Sequence, residues 1–215
     1  MWLEFDRPEV LVAHLGMSGQ FKIQKSNSEF EKHLRANFAL SNGKEMRFID
    51  QRTFGWLCVD QLEGSIPNVV SHIAPDLFDK NLNKKEIVAK ILKKRGQIKK
   101  VILDQSVVSG IGNIYADEAL WYAQIHPEVI AEDLTSTQAL NILTAAQKVM
   151  ARALKAGGTS FDELYINVNG ESGYFERSLA VYGREGEPCR RCGEEIIRIA
   201  FANRSSRLCP ACQTR

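Results

Sequence analysis

Two cysteine pairs, Cys189-x-x-Cys192 and Cys209-x-x-Cys212, stand sixteen residues apart at the end of this 215-residue chain. Each pair can present two thiolates to one tetrahedral zinc ion. The intervening GEEIIRIAFANRSSRL is long enough for a hairpin that brings the pairs together. A segment this short has too small an apolar core to fold alone, so the metal would hold it. Disulfides are the competing use of such cysteines. The chain opens with Met1-Trp2-Leu3-Glu4-Phe5-Asp6, which alternates like a strand and lacks the basic start and apolar stretch of a signal peptide. That points to a reducing cytoplasm, where thiolates bind metal. Four sulfur ligands close the coordination shell, so this zinc scaffolds and activates no water. Cys58, isolated in a strand-like run, reads as a small core residue.

Composition excludes some functions and favours others. With 44% hydrophobic and 25% charged residues, the chain suits a globular protein of one large or two modest domains. No apolar run is long enough to cross a bilayer, so no membrane partner is expected. Between Lys80 and Lys100 stand nine Lys or Arg against one acid, Glu86, a local charge of +8 in a chain whose net charge is +2. A solvated helix face is the ordinary use of a charge run. Such concentration in a nearly neutral protein favours a polyanion partner. On the hairpin between the cysteine pairs, Arg204 and Arg207 offer guanidinium forks that match phosphate oxygens, or stand idle on an exposed turn.

The periodicity changes along the chain. Residues 1 to about 62 read as short strands broken by glycines, with Asn42-Gly43 as a two-residue hairpin turn in which both positions need positive φ. Pro67 and Pro75 mark a connecting loop. From about 76 to 164 the period becomes helical. KKEIVAKILKKRG carries Ile87, Ile91 and Leu92 on one face; QIKKVILDQ is a shorter turn or two; NIYADEALWYAQ is stopped by His126-Pro127; LTSTQALNILTAAQKVMARALKAGG is long and capped by Ser or Thr. Between the second and third helices, Gly110 and Gly112 bracket Ile111. Bare backbone there suits a close approach from outside.

The motifs HLGMSG, QRTFG, IKKVILDQSVVSGIGNIYADEAL, GGTSFDELY, ESGYFERSLAVYGREGEPCRRCG and RSSRLCPACQ resemble, in order, those of formamidopyrimidine-DNA glycosylases. The resemblance runs from about residue 3 to the end. It implies an α+β fold: a partial, truncated N-terminal β-sandwich over 1–64, a helix–two-turn–helix domain over 76–164, a lesion lid and connector over 165–188 with the lid at about 167–176, and a four-cysteine zinc-finger β-hairpin over 189–215. It further implies a monomeric cytoplasmic, nucleoid-associated bacterial protein of base-excision repair. The partner would be damaged double-stranded DNA and the cofactor one structural Zn²⁺ on Cys189, Cys192, Cys209 and Cys212. The implied activity is removal of oxidised purines followed by strand cutting through β- and δ-elimination.

Residue roles carry over from the same motifs. Met17 fills the gap left when the damaged nucleotide swings out, Arg52 meets the orphaned base, and Phe54 wedges between bases. Core packing is the ordinary reading of Met17 and Phe54. Gly112 and Asn113 head a helix whose free N–H groups face a phosphate. Lys99 matches a second phosphate-binding residue, while Lys94 and His33 match other DNA contacts. Arg204 grips the phosphate at the lesion and donates a proton in δ-elimination. The family's N-terminal proline nucleophile, the glutamate after it and a hairpin lysine have no counterpart in this chain. Covalent catalysis through an absent amine cannot be replaced by positioning, so the chain as written is expected to show little or no glycosylase activity. The alternative is a non-catalytic binder of damaged DNA.

Overall fold

A computed structural model of the protein describes residues 1–157 and 178–215. The expected lid at 167–176, and the greater part of the 165–188 connector, lie outside the described residues. The chain divides into two compact units, which among the described residues are 1–71 and 72–157 with 178–215. The helices and the cysteine hairpin therefore share one unit. No helix among the described residues is long and apolar enough to cross a membrane.

The first unit holds β1 (Trp2–Glu4), β2 (Glu9–His14), β3 (Gly19–Lys25), β4 (Leu34–Ala39), β5 (Lys44–Asp50), β6 (Trp56–Glu63) and β7 (Ile66–Pro67). They form two antiparallel sheets, ordered β1-β2-β6-β7 and β3-β5-β4. Val10 to Ala13 of β2 are buried on both faces of the strand, and Phe48 and Ile49 of β5 complete the core. Apolar side chains also stand outside, Val59 at 69% and Phe5 at 52% exposure among the described residues. The β4–β5 turn departs from the expectation. Only Gly43 is left-handed, at φ 74. Its N–H bonds to Leu40 O at 3.1 Å, and Leu40 N–H to Lys44 O at 2.8 Å, so the loop is Ser41-Asn42-Gly43. A three-residue loop needs positive φ only at its last position, where the glycine stands.

The second unit packs α1 (Lys84–Leu92), α2 (Ile98–Ile102), α3 (Asn113–Ala123) and α4 (Ser136–Lys155). Ile87 and Ile91 of α1 are buried as the 3.6-residue period requires, with Val88 beside them and Leu92 only partly covered. α4 begins with a capping box: Thr135 accepts from Gln138 N–H, and the Gln138 side chain accepts from Thr135 N–H. α3 ends before His126-Pro127, because Gln124 turns left-handed at φ 58 and Ile125 N–H closes on Leu120 O at 3.0 Å. The hairpin pairs β8 (Ile197–Phe201) with β9 (Arg204–Leu208), and Ala202 takes φ 50 in its turn. Ala180, Val181, Cys189, Ile196 and Cys209 pack with Trp121 of α3 into one small core.

Candidate metal centre and nucleic-acid interface

The sulfurs of Cys189, Cys192, Cys209 and Cys212 all lie within 4.8 Å of one another. Cys192 Sγ is 3.4 Å from both Cys209 Sγ and Cys212 Sγ. Zn–S bonds of about 2.3 Å in a tetrahedron would set the sulfurs about 3.8 Å apart, so the cluster fits one zinc ion. Burial pushes the Cys189 thiol up, but N–H groups of Arg191, Cys192 and Trp121 outweigh it and bring it down to about 6. Burial and the neighbouring sulfurs drive Cys209 up to about 12. Four crowded sulfurs divide in this way when no cation shares them; a divalent ion lets all four ionise. The donors around the sulfurs come from α3 as well as from the hairpin. Trp121 Nε1 donates to Cys189 Sγ at 3.3 Å, and the Arg191 guanidinium lies 4.1 Å over the Trp121 ring. Gln213 accepts from Cys209 N–H at 3.0 Å and donates to Ile125 O at 2.9 Å, fastening the second cysteine pair to the end of α3.

The same helix presents its N-terminus beside the hairpin. Gly110 sits at φ +84, a region that glycine alone enters freely, and a Cβ there would lie 3.3 Å from Met150 Cε. Gly112 differs. Its φ of −94 and ψ of 179 are ordinary, and a Cβ there would meet nothing within 4 Å among the described residues. The fold thus requires the first glycine and leaves the second unexplained from within. Gln105 holds the turn between them, accepting from Gly110 N–H at 2.9 Å and donating to Ile111 O at 3.2 Å. Among the described residues no side chain caps α3 at Gly112, and no acid stands in its first turn, so the positive end of the helix dipole suits another anion.

Lys99 departs from the role expected of it. It is fully buried, with Nζ 2.6 Å from Asp117 Oδ1 and donating to Ser205 O at 2.9 Å. An ammonium enclosed this way faces the protein, not an external phosphate. Burial pushes Lys99 down and Asp117 up, and their mutual attraction opposes both shifts. Asp117 also accepts from Ser206 Oγ at 2.7 Å and Arg207 N–H at 3.1 Å. Asn113 Nδ2 donates to the same Ser205 carbonyl at 3.3 Å. Ser205 is therefore pinned from α2 and from the first residue of α3. Its neighbour Arg204 is exposed, and the Arg204 side chain makes no hydrogen bond or ion pair among the described residues. Arg207 is engaged, stacked 4.2 Å over Tyr182 with Nε 3.5 Å from Glu185. Lys94 is exposed and lies 3.4 Å from Asp104.

In the first unit Met17 and Phe54 are 49% and 59% exposed, so neither is core. Arg52 joins them, its Nη1 3.6 Å from Met17 Sδ and its Cζ 5.8 Å from the Phe54 ring centre. His33 is partly buried at the entry to β4, where its carbonyl accepts from Asp50 N–H at 3.0 Å. Sequence reasoning passed over His14, an exposed imidazole that stacks on Trp56 at 5.7 Å just before the Met17 loop. It also passed over two buried acids of α3. Asp117 binds Lys99, and Glu118 accepts the N–H groups of Ala180, Val181 and Tyr182 at 2.8–3.0 Å. The signal was present: adjacent acids inside the otherwise apolar run IYADEALWY. Acids in such a run are buried only when paired.

Three family patterns match the chain. They are the formamidopyrimidine-DNA glycosylase N-terminal domain over 1–57, the formamidopyrimidine-DNA glycosylase H2TH domain over 73–163, and the zinc finger found in FPG and IleRS over 186–215. The formamidopyrimidine-DNA glycosylase of Acidothermus cellulolyticus is 51% identical over 214 residues, covering 99% of this chain and 75% of that protein. That of Rhodococcus erythropolis is 53% identical over 218 residues, covering 99% and 75%. Among solved structures, the Lactococcus lactis Fpg bound to DNA containing an abasic site superposes with a TM-score of 0.86 at 31% identity, covering 96% of this chain and 76% of that one. The Lactococcus lactis Fpg bound to DNA with an oxidised pyrimidine gives 0.87 at 30% identity, covering 100% and 78%.

Proposed function

The chain belongs to the formamidopyrimidine-DNA glycosylase family, and from that premise we propose that it binds damaged double-stranded DNA as a zinc-loaded monomer in base-excision repair. One observation carries the reading. Arg204, its side chain unpaired among the described residues, is pinned through Ser205 beside the uncapped N-terminus of α3, where Gly112 leaves the backbone bare. A guanidinium and a helix N-terminus side by side, braced by metal, suit one phosphodiester. Gly112, Asn113 and Arg204 take the phosphate at the lesion. Lys94 takes a further one, and Lys99 acts from behind by holding Ser205. Met17, Arg52 and Phe54 occupy the gap left by the extruded nucleotide, and His33 touches the same duplex. The activity of the family reading is excision of oxidised purines with strand cleavage at the resulting abasic site.

A second reading is a non-catalytic binder of damaged DNA: Met17, Arg52, Phe54 and Arg204 are all exposed, and grip alone would account for them. Two measurements test these readings. The zinc-loaded 215-residue polypeptide should bind an abasic-site duplex in preference to single-stranded RNA, with log affinity falling linearly in log salt. Borohydride should trap little of it on that duplex. Failure to bind in dilute buffer would end the DNA reading, and efficient trapping would end the non-catalytic one.

A further inference from the structure

The three side chains proposed to enter the duplex stand on two separate loops, Met17 between β2 and β3, Arg52 and Phe54 between β5 and β6. A wedge works only if those loops keep a set spacing. Both loops converge on one side chain. Asp50, the last residue of β5, is fully buried and accepts from Ser18 Oγ at 2.6 Å through Oδ1 and from Gly55 N–H at 2.8 Å through Oδ2. The Ser18 hydroxyl, its proton directed at Asp50, accepts in turn from Arg52 N–H at 2.9 Å. One carboxylate thus reaches the residue next to Met17 on the first loop and residues on both sides of Phe54 on the second.

The backbone of Asp50 is held as firmly. Its N–H donates to His33 O at 3.0 Å, and its carbonyl accepts from Arg35 Nε at 2.8 Å. The glycines let the loops close. A Cβ on Gly16 would lie 2.7 Å from the Phe54 carbonyl carbon, and one on Gly55 would lie 3.0 Å from Asp50 Oδ2. Acceptance on both oxygens favours the ionised carboxylate, which has no proton to place. Burial pushes Asp50 up, yet the hydrogen bonds from Ser18, Gly55, Arg52 and Thr53 outweigh it and hold the carboxyl below its ordinary value. No cation lies among those partners; hydroxyl and amide donors alone meet the charge.

We propose that Asp50 is a positioning residue that sets the spacing of Met17 from Arg52 and Phe54, and through it the ability to tell a damaged duplex from an intact one. The inference rests on the reading that those three side chains enter the duplex. It separates two quantities that a purely structural role would move together. Affinity for intact DNA comes from phosphate contacts and keeps its salt dependence, while the preference for an abasic site depends on the wedge.

The test uses the full zinc-loaded chain and a duplex carrying an abasic-site analogue with 2-aminopurine opposite. Asp50→Asn should lower the preference for that duplex over an intact one by at least about tenfold, the worth of one good hydrogen bond to a charged group. It should abolish the 2-aminopurine fluorescence change and leave intact-duplex affinity and its salt slope as in the parent chain. Ser18→Ala, which removes the Ser18–Asp50 bond and the acceptor of Arg52 N–H but keeps Asp50 on Gly55, should lose preference in the same direction by less, and it decides the matter if Asp50→Asn does not fold. Met17→Ala separates the two levels. If it loses preference while Asp50→Asn or Ser18→Ala keeps it, the spacing role of Asp50 is overturned. If Met17→Ala itself keeps full preference, the wedge reading fails, and this inference with it.

Discussion

Single residues in this chain divide into those that face outward and those that hold them. Lys99 is of the second kind. Lys99→Met leaves Asp117 as a buried charge without its cation, which should cost about 3–5 kcal/mol in urea unfolding, whereas Lys99→Met with Asp117→Asn should recover much of that loss. If the single and double variants were equally unstable, the pair would not be coupled. Arg204 is of the first kind. Arg204→Ala should leave stability within about 0.5 kcal/mol and reduce the slope of log affinity against log salt by about one. Asp50 links stability to pH. Its folded-state carboxyl lies below the ordinary value, as does that of Glu31, where burial pushes up and hydrogen bonds from its own backbone and Arg47 pull down. A depressed carboxyl stabilises the fold above its unfolded value, and that contribution is lost as pH falls through the folded value. The first unit should therefore lose melting temperature as pH drops below about 4. Asp50→Asn should lower the melting temperature at pH 7 and flatten the acid decline.

Among the elements, the turn before α3 allows the sharpest comparison, because its two glycines are bare for different reasons. Gly110→Ala forces a side chain into φ +84 and against Met150, so it should destabilise the second unit by about 1–2 kcal/mol. Gly112→Ala has an ordinary φ and open space. It should melt like the parent chain and yet bind abasic-site DNA about tenfold less well, the loss expected for a charge-assisted hydrogen bond held at a distance. Gly112→Ala binding at parental strength would remove the reason for that glycine. Elements such as α4 were legible because their signals are local: a Thr135 cap, a Gln138 three residues on, and an apolar stripe. The cysteine pairs were legible for the same reason. The turn at Asn42-Gly43 was misjudged because loop length is set by the pairing of Leu40 with Lys44, which a dipeptide does not reveal. The burial of Lys99 was hidden too. Nothing in nine basic residues spread over 80–100 tells which one meets a buried Asp117, and Asp50 carries no local sign of its burial beside QRTFG.

For the whole molecule, zinc should matter unevenly, because the cysteine hairpin belongs to only one of the two units. The hairpin is fastened to α3 at several points: Trp121 on Cys189, Asp117 on Ser206 and Arg207, and Gln213 on the end of the helix, while Glu118 holds residues 180–182 ahead of it. Its own apolar core is small and borrows Trp121. Removing the metal leaves four sulfurs that cannot all ionise side by side, so β8 and β9 lose their brace and Asp117 loses the Ser206 and Arg207 donors that justify its burial. Chelation should therefore lower the melting temperature of the second unit by more than about 10 °C while leaving the transition of the first in place. Calorimetry would show one peak move and one stay. The three tryptophans provide an independent reading, since Trp2 and Trp56 are already exposed and only Trp121 is buried against the metal site. Chelation should red-shift the emission of Trp121, and Trp121→Phe should abolish that shift. Both transitions moving together would mean that the zinc hairpin supports the β-sheets as well as the helices, and the separation of the chain into a metal-dependent and a metal-independent half would have to be given up.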